Sequence, residues 1–293
     1  MTQRFHHLRQ AFLIVGEVVN FKNMRRFHNR IFTIKGYIVK RLVKTGGKME
    51  SITVFGDIHG NLPAFEAALA DMEVRGLQNL YCLGDLVGYG TFPNEVTQII
   101  RERGIPTLMG NYDQGVGNNS DDCGCAYKTD IERARGEQSI RWSNAHASDE
   151  HKAFLRALPA HIPLQLGDLK VLLVHGSPRK VNEYLFEDRP DEYFERIMDA
   201  AQADVLVCGH THLPYHKMLP SGRQVVNAGS VGKPKDRDPR ACYAVLHATG
   251  RDLTVEFIRV PYDVERAAQA IEATPVDGGM PHVFAAMLRD GAG

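Results

Sequence analysis

Five short stretches place a carboxylate, amide or imidazole beside a glycine at the end of an apolar run: Gly56-Asp57-Ile58-His59-Gly60, Gly84-Asp85, Gly110-Asn111, His175-Gly176 and Gly209-His210-Thr211-His212. Together they offer three oxygen donors, Asp57, Asp85 and Asn111, and four imidazoles, His59, His175, His210 and His212. A mixed oxygen and imidazole set suits first-row divalent ions, Mn²⁺ first among them, with Fe, Zn²⁺ or Ni²⁺ as alternatives. Seven donors exceed what one ion needs. If one carboxylate bridges, two ions each receive four protein ligands and keep positions open for solvent and substrate. Ions held about 3.5 to 4 Å apart carry out in-line phosphoryl hydrolysis, one clamping the nucleophile and the other the developing charge. Taken singly, each stretch reads as readily as a turn or a structural histidine. Their joint occurrence, each after an apolar strand, points to a site.

Such donors must be gathered by elements that end at one place. In open α/β sheets that place is the carboxyl end of the strands. Strands are expected at 51–55, 79–83 and 105–109, alternating with helices at 62–74 and 93–103, a βαβ pattern and a sheet that begins parallel. In extended chain, residues i and i+2 point the same way, which would aim Asp57 with His59, and His210 with His212, as pairs into one pocket. Residues 115–158 are polar and helix-prone, at 131–143 and 149–157, and read as a helical insertion or cap. Strands return at 162–166, 170–174, 205–208, 215–219, 224–226, 241–247 and 254–260, and tight turns such as Pro220-Ser221-Gly222 make that half look antiparallel. Two packed sheets with helices outside accommodate both halves.

The 293 residues are 43% hydrophobic and 24% charged, enough for a sizeable core and too apolar for a disordered chain. Net charge is zero, but residues 1–48 carry eleven Lys and Arg against one acid, Glu17, so they hold +10 and the rest −10. The basic leader reads as a translated stretch upstream of a start at Met49, as a real extension, or as a transit peptide; the folded domain is expected over 49–293. Whole-chain neutrality gives no argument for a nucleic-acid polymer or a membrane as partner. The longest apolar stretch, 11–19, is broken by Gly16 and Glu17 and falls short of the roughly 18 to 20 residues a bilayer requires. Five cysteines do not make a disulfide framework, Cys123-x-Cys125 lacks zinc-ribbon spacing, and a reducing, cytoplasmic setting is expected.

Gly56-Asp57-Ile58-His59-Gly60, Gly84-Asp85-Leu86-Val87-Gly88, Gly110-Asn111-Tyr112-Asp113, Val174-His175-Gly176 and Gly209-His210-Thr211-His212 resemble the signature of the calcineurin-like metallophosphoesterase superfamily, over residues 51 to about 260. The resemblance implies an α/β fold, the αββα two-sheet sandwich, with a helical insertion. It implies one metal on Asp57, His59, Asp85 and His212, a second on Asp85, Asn111, His175 and His210, and a bridging hydroxide as nucleophile. Many members carry His where this chain has Tyr112; substitution there resembles the small bacterial and archaeal phosphodiesterase branch. A neutral phenol is a poor acid near pH 7, so phosphodiesters with good leaving groups, nucleotide esters among them, are the expected small-molecule substrates. The alternatives are a protein Ser/Thr phosphatase, whose Asp-Arg-Gly continuation is missing after Asp85, and a catalytically silent scaffold. Candidate substrate contacts are Tyr112, Asp113, Tyr89, Ser230, Lys233 and Arg240, with the turn 227–234 as a phosphate cradle and the acidic loop 118–122 as part of a lid.

Overall fold

Side chains along a strand alternate between two faces, and in the computed structural model both faces of two sheets are covered. It describes residues 28–34, 37–43, 49–127, 129–275 and 280–292. Strands β1 (His28–Ile34) and β2 (Tyr37–Val43) pair antiparallel in a unit of their own, where the sequence showed no sustained strand periodicity. The readings of residues 1–27 lie outside the described residues.

The larger unit holds two mixed sheets. Strands β3 (Glu50–Phe55), β4 (Leu80–Cys82), β10 (Ala241–Thr249) and β11 (Asp252–Val260) form the first, in the order β11-β10-β3-β4, with only β3 and β4 parallel. The second contains β5 (His161–Leu166), β6 (Leu169–Val174), β7 (Val205–Cys208), β8 (Tyr215–Met218) and β9 (Gln224–Asn227), in the order β5-β6-β7-β9-β8. Ile52, Val54, Ala244 and Leu246 of the first sheet share one buried core with Val171, Leu173, Val205, Val207 and Val226 of the second. The intervening residues face outward, Phe55, Tyr243 and Val245 from one sheet and Val174, Leu206 and Val225 from the other.

Helices cover those outer faces. Helix α1 (Leu62–Val74) lays Leu62, Phe65, Leu69 and Met72 on the first sheet, a spacing of three and four residues that keeps one stripe inward. Asn61 caps it by accepting the Ala64 N–H at 3.2 Å, and the same side chain donates to the Gly232 carbonyl at 2.8 Å. Helices α2 (Pro93–Arg103), α3 (Asn111–Gly117), α4 (Asp130–His146) and α5 (Asp149–Ala157) follow. The stretch read as a helical insertion or cap is helical, and its Val116, Ile140 and Leu155 join the core under the first sheet. Helix α6 (Asp191–Ala201) presses Phe194, Ile197 and Met198 onto the second sheet. Helices α7 (Val264–Glu272) and α8 (Met280–Asp290) close the chain around a small cluster of Ala267, Ile271, Phe284 and Leu288. None of the described helices is long and apolar enough to cross a membrane.

Two expectations are corrected. Residues 105–109 contribute only the bridge between Cys82 and Thr107, because Pro106 has no N–H and enters the ladder through its carbonyl alone. The second half is not simply antiparallel: β6, β7 and β9 run parallel, and the unread helix α6 supplies the crossover from β6 to β7. Phe194 is fully buried on the second sheet, so Phe194→Ala is expected to lower stability by about 3 to 5 kcal/mol in urea unfolding; a loss under about 1 kcal/mol would show that α6 contributes little to that layer.

Candidate metal centre

Five of the seven donor residues stand on left-handed backbone, with φ of 51° at Asp57 and His59, 53° at Asp85, 63° at His210 and 62° at His212. Extended i to i+2 geometry is therefore not what aims them. Each strand instead breaks at its carboxyl end and turns its donor inward, at a cost of order 1–3 kcal/mol per residue. Backbone bonds hold the turns: the Asp57 N–H donates to the Gly84 carbonyl and the His59 N–H to the Asp85 carbonyl, both at 2.9 Å, and the Gly209 N–H to the His175 carbonyl at 2.8 Å.

The donors fall into two buried groups, Asp57 with His59 and His212, and Asp85 with His175 and His210; within each, the ligand atoms lie within 4.8 Å of one another. His210 and His212 fall in different groups, the division that the family resemblance implies. Asp85 stands between them, its Oδ2 3.6 Å from His59 Nε2 and 3.4 Å from His175 Nε2, while its Oδ1 accepts the Tyr112 N–H at 2.8 Å. Asn111, the first residue of α3, places its Oδ1 3.1 Å from His175 Nε2 and donates its amide to the Cys123 carbonyl at 3.1 Å.

Hydrogen bonding fixes which ring nitrogens point inward. His59, His175 and His212 give Nδ1–H to the carbonyls of Val87, Leu83 and Lys233 at 3.0, 2.8 and 2.5 Å. A carbonyl only accepts, so in the neutral ring Nε2 is left bare. The bare Nε2 atoms of His59 and His212 then face each other at 3.2 Å. Asp57 Oδ1 lies 3.2 Å from His212 Nε2, and neither it nor His210 Nε2 has a hydrogen-bond partner among the described residues. Lone pairs crowded in a dry cleft repel unless a cation stands among them. The donor set fits two divalent ions.

Burial holds His59 down to about 3 against the raising charge of Asp85, and burial likewise holds His210 and His212 well below their ordinary range. Neutral imidazole is the form a metal binds. At His175 burial also opposes the cation, but Asp85 and Asp57 outweigh it and push the ring up to about 10. That proton stands where a metal would.

Several expected substrate contacts are held by hydrogen bonds or ion pairs within the protein. Asp113 accepts the N–H groups of Asp85 at 2.7 Å, Leu86 at 2.8 Å and Gly110 at 3.0 Å, so both its oxygens are spent positioning the strand end. Ser230 donates to the Asp57 carbonyl and accepts the Lys233 N–H, each at 2.8 Å. In the turn 227–234, read as a phosphate cradle, the N–H groups at Gly229, Val231 and Gly232 are held by Asn227, Gly56 and Asp57. Arg240 is exposed and paired with Asp238. In the loop 118–122, read as part of a lid, Lys152 Nζ holds Asn119 and Asn144 holds the Ser120 carbonyl, each at 2.7 Å. Cys123 and Cys125 form a local disulfide, and Cys82, Cys208 and Cys242 are buried and free.

Tyr89 and Tyr112 do border the centre, their rings edge-on to His59 at 5.1 and 5.3 Å, and Lys233 lies over Tyr89. Sequence reasoning missed Tyr184, whose ring packs on His210 at 4.0 Å and which no motif marks.

A model of the calcineurin-like phosphoesterase superfamily domain matches residues 50–251. An uncharacterized protein of Methanocaldococcus jannaschii is 33% identical over 237 residues, covering 75% of this chain and 91% of that protein. The crystal structure of a metallophosphoesterase from Sphaerobacter thermophilus is similar at a TM-score of 0.63 and 28% identity, over 83% of this chain and 100% of that one. A hypothetical protein from Pyrococcus horikoshii shares the fold at a TM-score of 0.67 and 24% identity, over 80% and 97% of the two chains.

A Cβ on Gly110 would lie 2.1 Å from Asp85 Oδ1 and 2.3 Å from the Asp85 nitrogen. Gly110→Ala is therefore expected to dislodge Asp85 and reduce bound metal to less than about half of the wild-type content by elemental analysis, with the far-UV spectrum retained. Wild-type metal content in that variant would show that the contact does not fix Asp85.

Proposed function

Since the chain belongs to the calcineurin-like phosphoesterase superfamily, we propose that it hydrolyses phosphodiesters, nucleotide esters among them, using a pair of divalent transition-metal ions, Mn²⁺ foremost. The observation that carries the reading is the crowding of bare acceptors, His59 Nε2 against His212 Nε2 with Asp57 Oδ1 unpartnered beside them. Asp57, His59, Asp85 and His212 would hold one ion, and Asp85, Asn111, His175 and His210 the other. Bound there, divalent ions supply Lewis acidity at the phosphoryl group and acidify water.

The chain's own residues decide which ester suffices. Tyr112 stands where an imidazole acid is common in the family, and its ring is 2% exposed. Burial, then the neighbouring Tyr89, raises its phenol well above the ordinary value, so it stays protonated. Its hydroxyl has no hydrogen-bond partner among the described residues. It can donate a hydrogen bond to a leaving oxygen without surrendering the proton at neutral pH. An alkoxide leaving group needs that proton, whereas an aryl or nucleotide ester needs it less.

Mn²⁺-loaded protein is expected to cleave bis(p-nitrophenyl) phosphate with kcat/KM at least about tenfold above that for an alkyl phosphomonoester. EDTA should abolish the activity, and Asp85→Asn or His175→Ala should lower it more than about a hundredfold while leaving the protein folded. Equal turnover of the alkyl monoester would overturn the diester preference; activity that survives metal removal would overturn the metal reading.

A further inference from the structure

The disulfide between Cys123 and Cys125 is built against a metal donor. Asn111 donates its side-chain amide to the Cys123 carbonyl at 3.1 Å and to Cys125 Sγ at 3.2 Å, so its N–H groups end on the closed ring and its Oδ1 is left to face His175. Gly124, between the two cysteines, accepts the Asn182 amide on its carbonyl at 2.6 Å. Asn182 lies two residues before Tyr184, whose ring packs on His210. The ring therefore touches Asn111 directly and reaches His210 through one loop, both on the side of the second donor group. None of these bonds reaches Asp57, His59 or His212.

Thiol–disulfide exchange needs one sulfur that can be reached and one that can leave. Cys125 is half-buried between exposed Gly124 and Ala126, whereas Cys123 is 6% exposed. An attacking thiolate meets Cys125 first. Cys123 is then the leaving sulfur, and Tyr127 Oη stands 3.1 Å from it. A sulfur in a disulfide carries no hydrogen, so the phenol is the donor, and the same bond stabilises the Cys123 thiolate as it forms. Cys82, Cys208 and Cys242 are buried and offer an attacking thiol no competing target.

We propose that Cys123–Cys125 is a redox-active site through which a dithiol reductant controls the hold on the second metal ion. One thiolate of the reductant bonds to Cys125 Sγ as the S–S bond to Cys123 breaks, and its other thiol then displaces Cys125 and closes the reductant's own disulfide. Two electrons and two protons pass to the protein, which is left with two thiols. The ring is then open and Cys125 carries an S–H, so Asn111 loses the fixed acceptors that aim its Oδ1 at His175. Asp57, His59 and His212 have no bond to the ring and keep their ion. The proposal rests on the two-ion reading of the cleft and adds the control of one ion.

Calorimetric titration of Mn²⁺ into the metal-free full chain tests it, once after oxidised glutathione and once after dithiothreitol, each followed by desalting under nitrogen. The oxidised form should weigh two hydrogens less than the reduced form, and iodoacetamide should label Cys125 only in the reduced form. One of the two ions is expected to bind about tenfold or more weakly after reduction, as when a partner that orients a ligand is removed, and the other to change by less than about threefold. Cys123→Ser cannot close the bond and should bind both ions as the reduced wild type does, before and after dithiothreitol; should it fail to fold, the two wild-type forms carry the test. Labelling of Cys125 in the oxidised form, or equal affinities for both ions in the two forms, overturns the proposal. Hydrolysis of bis(p-nitrophenyl) phosphate separates the two readings: activity with equal affinities in both forms sinks the redox control alone, and redox-dependent affinity without activity sinks the hydrolytic reading alone.

Discussion

The Nδ1 atoms of His59 and His212 are committed to backbone carbonyls, and their Nε2 atoms consequently meet lone pair to lone pair at 3.2 Å. Much of the architecture serves to keep that unfavourable meeting in place. The two carbonyls belong to Val87, on the turn after β4, and to Lys233, on the turn after β9, so both sheets must be assembled before the rings are oriented. Asp57 adds a buried oxygen with no hydrogen bond among the described residues, and Asp85 adds a carboxylate shared between the two groups of donors. Such a cluster is costly when empty of cations and favourable when filled, which couples metal affinity to the integrity of the sandwich.

Left-handed backbone at five donors adds a second cost, and its upkeep explains residues that touch no metal. Asp113 gathers three N–H groups at the junction of the β4 turn and α3. Ser230 and Gly232 bind the Asp57 carbonyl from the opposite sheet, and Asn61 ties the first helix cap to the same loop. These bonds are made by residues far apart in sequence, so the strained turns can form only with the tertiary structure around them. Rigid strand ends then hold the donors more closely than free loops could.

How much of this was legible follows from which contacts are local. The apolar runs 241–247 and 170–174 announce strands because each such residue reports its own burial, and helix α1 announces itself through Leu62, Phe65, Leu69 and Met72. The seven donors were visible because each motif is contiguous. Parallel pairing of β6, β7 and β9 was not, since it depends on a crossover through α6 that no single stretch reveals. Asp113 and Ser230 looked like substrate contacts because their polarity is evident in sequence while their saturation by distant N–H groups is not. Tyr184 had no signal at all, its role resting on a ring contact with His210.

The two walls of the cleft are anchored unequally. On the donor side, strand ends emerge from the core shared by both sheets, and opening any of them would expose fully buried side chains such as Val54, Leu83 and Val207. On the other side, the wall behind Tyr89 is closed by α7 and α8 through Phe284, whose ring meets Tyr89 edge-on at 5.3 Å, and through a cluster of only a few side chains. Arg289 links the two helices by pairing with Glu265 and Glu272, but exposed pairs of this kind contribute little to stability. Local opening therefore costs least on the C-terminal side. Lys233 lies on that boundary, its backbone fixed to a metal donor and its ammonium packed against the yielding wall.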